Sequence, residues 1–211
     1  MTEQLPDFLS LEAILIYQED KGESFKYISL LCEEHGLIRC LWRKKKKGNV
    51  KYKSPDFLDF GQWDLQKSKD SNLWYLNDYD PQKLFVSISK NYRGFSAAAY
   101  WCRFLNQNLV HTEWLPDMYS ICVQGFKGWI SGYDANVVLL KCFYIFCKQE
   151  GFPIKEMWLK TLNSNLTDFA HECLFTPLKN DYEIPSSKEL LDSLLNWMSL
   201  HTDLKVDTHA N

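Results

Sequence analysis

The pattern of apolar and polar positions changes character near residue 85. Before it, short apolar runs of strand length alternate with turn clusters; after it, apolar residues recur at helical spacing and turn signals thin out. Residues 11–17 (LEAILIY) predict a first strand, closed by the charged turn Gln18-Glu19-Asp20-Lys21-Gly22. Residues 25–32 (FKYISLLC) predict the second, Glu33-Glu34-His35-Gly36 the next turn, and residues 37–42 (LIRCLW) the third. Residues 57–65 and 73–76 supply two more short strands, with a turn at 66–72. Five strands in about 80 residues suit a small OB-type barrel. An SH3-like barrel fits the count equally.

The second half predicts helices. Residues 95–109 carry three alanines and no breaker, and Trp114-Leu115-Pro116 opens a further helix running through 118–130. Residues 135–150 are apolar almost all round, which marks a helix buried on several sides, and Gly151 and Pro153 stop it. Ser186-Ser187-Lys188-Glu189 reads as a capping box opening a last amphipathic helix with Leu190, Leu191, Leu194, Leu195, Trp197 and Met198. The polar residues from about Asp203 onward are expected to fray.

Composition narrows the function classes. At 211 residues and 45% apolar the chain can bury real cores, and disorder is excluded. Lys and Arg (24) nearly balance Asp and Glu (27), so any polyanion site must be local rather than a field of the whole protein. The acidic opening lacks a basic n-region and a cleavage site, and the longest apolar stretch, 137–147, is interrupted by Lys141 and falls short of a bilayer span. A cytoplasmic protein is expected. The seven cysteines form no C-x-x-C pair and lie mostly in apolar runs, which predicts reduced, buried thiols. The sequon at Asn165 carries no weight without a secretion signal.

Nucleotide-loop, zinc-protease and nucleophile-elbow signatures are absent, and no residue is assigned catalysis. Cys32 and His35 lie at a strand end on opposite faces, and His171, Cys173, His201 and His209 lack zinc-ligand spacing; no metal or other cofactor is expected. One segment demands an explanation. Arg43, Lys44, Lys45, Lys46 and Lys47 are adjacent, Lys51 and Lys53 follow, and no acid lies between Cys40 and Lys53. Arg39, Trp42 and Tyr52 interleave cations with rings, the composition that single-strand binding uses: cations track phosphates while rings stack on bases. A solvated loop is the plain alternative.

Glu12-Ala13-Ile14-Leu15, Gly22-Glu23-Ser24 and the segment 28–39 (ISLLCEEHGLIR), followed by the basic run, resemble the opening of the bacterial recombination mediator RecO. Residues 100–119 are similar to its helical domain, and Leu139-Leu140 through Gly151-Phe152-Pro153 to its late L-L-x-x-x-G-x-x-P segment. The resemblance covers about residues 10–155 and is most specific in the first forty. Two departures stand out. Many RecO proteins carry a four-cysteine zinc insert after that segment, whereas residues 156–160 hold no cysteine; and Ser24 is followed by Phe25 instead of the usual aspartate.

The resemblance implies an α+β, multi-domain chain: a five-stranded OB-fold barrel over residues 1–84, followed by an all-α domain over 85–211. It implies a non-enzymatic protein that binds single- and double-stranded DNA, anneals strands and helps RecA onto single-stranded DNA, with RecR and the single-stranded-DNA-binding protein as partners in the cytoplasm, at the nucleoid. The DNA contacts expected are Arg39, Trp42, Arg43, Lys44, Lys45, Lys46, Lys47, Lys51 and Lys53, with Lys26 and Tyr27 on the adjacent strand. A general RNA- or single-strand-binding OB module and a protein-interaction scaffold are the other function classes.

Overall fold

A computed structural model describes residues 7–44, 54–69, 73–109 and 117–208. The chain divides into two compact units, 1–86 and 87–211.

The first unit is a closed barrel of five strands, β1 (Phe8–Lys21), β2 (Phe25–Cys32), β3 (Gly36–Arg43), β4 (Phe60–Lys67) and β5 (Trp74–Pro81), in the order β1-β2-β3-β5-β4. All pairings are antiparallel except β3 with β5, and this is the arrangement of an OB-fold. Alternation fills the barrel: Leu9, Leu11, Ala13 and Leu15 of β1, Ile28, Leu30 and Cys32 of β2, Ile38 and Cys40 of β3, Trp63 and Leu65 of β4, and Trp74 of β5 form its core. The Trp63 indole stacks on Tyr79 at 4.7 Å, and its Nε1 donates to the Ala13 carbonyl at 2.9 Å.

β1 is longer than its apolar run. Residues 8–14 pair with β4 and residues 13–21 with β2, and a bulge between Leu15 and Tyr17 lets one strand serve both neighbours. Gln18, Glu19, Asp20 and Lys21, expected as a turn, therefore continue the strand; the turn is the short link at Gly22, whose φ of +66° suits glycine. β4 begins later than predicted, because residues 57–59 run outside the strand: Leu58 donates to the Leu15 carbonyl and Leu15 to that of Asp59, both at 2.9 Å.

The second unit holds, among its described residues, six α-helices: α1 (Tyr92–Asn108), α2 (Asp117–Ile130), α3 (Ala135–Gln149), α4 (Ile154–Met157), α5 (Ser164–Phe175) and α6 (Ile184–His201). The helix start expected at residues 114–116 lies outside the described residues. α3 is the central helix. Its Phe143 and Phe146 meet Trp101 and Phe104 of α1 edge-on, with ring centroids 4.8 to 6.2 Å apart, and it also packs on α2, α5 and α6. No helix among the described residues is long and apolar enough to cross a membrane. All seven cysteines are free and buried.

Two expectations are corrected here. α6 starts at Ile184, with Pro185 in its first turn, so Ser186 and Ser187 lie inside the helix and cap nothing; Ser187 is fully buried and donates to the Ile184 carbonyl at 3.0 Å. The tail is pinned instead of frayed as far as Asp207. Buried Asn108 of α1 accepts from the Lys205 amide at 2.8 Å and donates to the Lys205 carbonyl at 3.1 Å, and the Tyr100 hydroxyl donates to the Asp207 carbonyl.

Candidate nucleic-acid interface

The β2–β3 pairing sorts the candidate residues onto two faces. Ile28 and Cys40 lie opposite each other inside the barrel, so Lys26 and Trp42, the next inward pair, point into its mouth. Phe25 opposite Arg43, Tyr27 opposite Leu41, and Ser29 opposite Arg39 face outward. Arg39 and Arg43 are exposed on one face of β3, about 13 Å apart at the rise of a strand. In OB-folds the strand 2–3 face is the surface that holds oligonucleotides.

Three side chains that the linear sequence did not bring forward, Phe25, Tyr75 and Lys21, join this face. The parallel β3–β5 closure sets Tyr75 beside Leu41, and its ring meets Phe25 at 6.4 Å and 72°. Leu41 is consequently 7% exposed although it points away from the barrel core, with Tyr27 and Tyr75 as its neighbours on either side. Lys21 also joins: its Nζ lies 4.2 Å from the Tyr27 ring centroid and donates to the Tyr27 hydroxyl at 3.1 Å. Period two counted back from Ile28 and Leu30 was the available signal for the outward placement of Phe25. Nothing local in the sequence announces Tyr75.

Trp42 and Lys26 play a different part from the outward residues. Trp42 is half-buried and packs against the barrel core. The Lys26 ammonium sits 6.0 Å from its ring centroid and donates to Gln18 Oε1 at 3.1 Å. Trp42→Ala should therefore lower barrel stability by about 2 kcal/mol, less than the roughly 3–5 kcal/mol of a fully buried tryptophan. Thermal melting checks this. An unchanged melting temperature would show that the ring contributes nothing to the core.

Lys44 latches the end of β3 to the β1–β2 turn. Its amide donates to the Ser24 carbonyl at 2.8 Å, and its Nζ meets Asp20 Oδ1 at 2.9 Å and the Gly22 carbonyl at 3.2 Å. That hydrogen bond holds the Asp20 carboxyl below its usual range. Much of the Lys44 charge is thus already answered by an anion. Lys45, Lys46, Lys47, Lys51 and Lys53 lie outside the described residues. Acids border the strip: Glu19 stands opposite Tyr27, and Asp78 and Asp80 are exposed on β5.

The perturbed groups elsewhere in the barrel have structural explanations. Burial raises the Asp59 carboxyl, which accepts from the Asp56 amide at 2.8 Å, and burial also raises its neighbour Tyr79. Burial likewise raises the Cys32 thiol, whose Sγ lies 3.4 Å from the Gly36 carbonyl, so this group is no ready thiolate.

In the helical unit, residues 156–160 follow the Gly151-Phe152-Pro153 segment and hold no cysteine. Trp158 is fully buried there, and its Nε1 donates to Ser193 Oγ of α6 at 3.2 Å.

No family model matches the chain. Over 130 residues, 61% of this chain, it is 27% identical to the DNA repair protein RecO of Bacillus pumilus (strain SAFR-032). The matched region is 50% of that protein, so the chain spans about half the length of the curated relative. The resemblance to RecO carried by the sequence motifs is thus found again in a curated relative, and the barrel with its following helices is the architecture that resemblance implies.

Proposed function

We propose that this chain is a non-enzymatic DNA-binding protein of recombinational repair, which uses the outward β2–β3 face and the lysine run after it to bind single- and double-stranded DNA. In this reading it anneals complementary strands and assists RecA loading in the cytoplasm, with RecR and the single-stranded-DNA-binding protein as partners and no cofactor. The observation that carries the reading is the placement of Arg39 and Arg43 on the outward face of the strand pair that OB-folds use for oligonucleotides, where the chain enters the run beginning at Lys44. Similarity to a DNA repair protein supports the same choice over an RNA-binding module.

The chemistry suits annealing. Bringing two strands together requires that their phosphates be neutralised while the pairing edges of the bases stay free, and cations on a surface do this by releasing condensed counterions. A closed pocket that gripped one strand would obstruct the second.

A fluorescence titration with labelled single-stranded DNA across a salt series tests the proposal. Log affinity should fall linearly with log salt, by roughly −0.7 per phosphate neutralised. Replacing Lys44, Lys45, Lys46 and Lys47 together by Ala should flatten the slope and weaken binding about equally for every sequence. Lys44→Ala alone should change the slope least, because its partner is Asp20. Unchanged binding in the fourfold variant removes the run from the site. Absence of binding at low salt refutes the proposal and favours a protein-interaction scaffold.

A further inference from the structure

The outward face carries more than cations. Three adjacent strands, β2, β3 and β5, present Phe25, Tyr27 and Tyr75 around the outward Leu41, with Arg43 directly opposite Phe25. Phe25 and Tyr75 are half-buried, held edge-to-face at 6.4 Å, so the pair is ordered before any ligand arrives. The pair covers Leu41, yet both rings keep part of their surface open beside an exposed guanidinium. Phosphate contact alone does not need them.

We infer that Phe25 and Tyr75 form a base-stacking platform on the outer face of the barrel, and that with Arg43 holding the neighbouring phosphate it makes the barrel select strands with unpaired bases over duplex. The inference rests on the DNA-binding reading and deepens it. In a duplex the bases already stack on one another inside the helix, and their faces are closed to a side chain. Phosphates, by contrast, are open in single and double strands alike, so the cations give the single strand no advantage. Stacking is tolerant of sequence, because every base has a π-face, and it does not release counterions. Selectivity and salt dependence should therefore separate: Arg39, Arg43 and the lysines set the slope, and the two rings set the preference.

The test compares three probes of equal length at one salt concentration: a fluorescein-labelled oligo-dT strand, an abasic strand with the same number of phosphates, and a duplex. The wild-type protein should bind oligo-dT tighter than the abasic strand by roughly 5- to 150-fold per stacked base, with the same salt slope for both. Phe25→Leu combined with Tyr75→Leu keeps an apolar cover over Leu41 but removes the ring faces, and it should close that gap while leaving abasic binding unchanged. Equal affinity of the wild type for the two strands overturns the platform and leaves the phosphate reading intact. A gap that survives in the double variant overturns it as well, since the bases would then be held elsewhere. If neither strand binds, the DNA-binding reading itself fails and the platform with it. Should the double variant not fold, Tyr75→Leu alone and quenching of a 2-aminopurine base in the strand by the wild type decide the matter; an unquenched base overturns the inference.

Discussion

Gly61→Ala should cost the barrel more than about 3 kcal/mol, a large share of the roughly 5–15 kcal/mol that holds a domain together. A Cβ added at Gly61 would lie 2.0 Å from the Asp80 carbonyl oxygen, 2.9 Å from its carbon and 3.0 Å from the Pro81 Cα. All three are β5 backbone atoms, so no side chain can swing aside. Relief requires that β4 and β5 part where Gly61 pairs with Pro81, next to the Trp63–Tyr79 stack. Gly22→Ala is the matched control: nothing lies within 4 Å of its added Cβ, and only the φ of +66° is strained, which costs about 1–2 kcal/mol. Hydrogen exchange of β4 and β5 amides, with the helical-unit amides read separately, measures both variants. Equal protection in the two would show that the strands are not so closely apposed at Gly61.

This contact illustrates what local pattern conveys and what it does not. β2 was legible to the residue because its apolar run lies between turns whose glycines, Gly22 and Gly36, both take positive φ. β1 was cut short because a bulge reverses its alternation, after which Gln18 and Asp20 point toward the barrel mouth and the charged run imitates a turn. β5 was cut short for a related reason: Asn77, Asp78 and Asp80 are exposed residues of a strand that pairs with β4, and polarity concealed the pairing. In the helical unit, the capping box misled because α6 is already open at Ile184, with Pro185 in its first turn immediately ahead of the serines. The tail was misread because two side chains of α1, Asn108 and Tyr100, tether a polar segment far along the chain.

The candidate site divides in the same way. Arg39 and Arg43 are four residues apart on one strand, so their common face follows from period two alone. Trp42 is an odd number of residues from each and therefore on the other face, a consequence obscured when rings and cations are counted as one run. Phe25 and Tyr75 are fifty residues apart and meet only because β3 closes on β5 in parallel, a pairing without a local signature. Barrel closure created the aromatic face, and sequence spacing could not reveal it.

Trp158→Ala should lower the stability of the helical unit by about 3–5 kcal/mol, the loss that follows when a fully buried tryptophan leaves a cavity. The position lies just after the Gly151-Phe152-Pro153 segment, where residues 156–160 hold no cysteine. Here α4 and the short 3-10 turn at Leu159–Thr161 close around the indole instead: the Trp158 amide donates to the Ile154 carbonyl at 3.0 Å, and its own carbonyl accepts from the Thr161 amide and hydroxyl at 2.9 and 2.7 Å. Ser193 Oγ receives the indole N–H, tying the segment to α6. Trp158→Phe keeps most of the packing and should cost nearer 1 kcal/mol through that lost hydrogen bond. For a domain of this size each kcal/mol moves the melting temperature by about 2–4 °C, so the two variants should be well separated in a thermal scan. Apolar packing in place of metal ligation further predicts that chelator leaves the wild-type melt unchanged and that metal analysis finds no stoichiometric zinc. A melt that falls in chelator while Trp158→Ala melts like the wild type would assign the stability of this segment to a bound ion rather than to the indole.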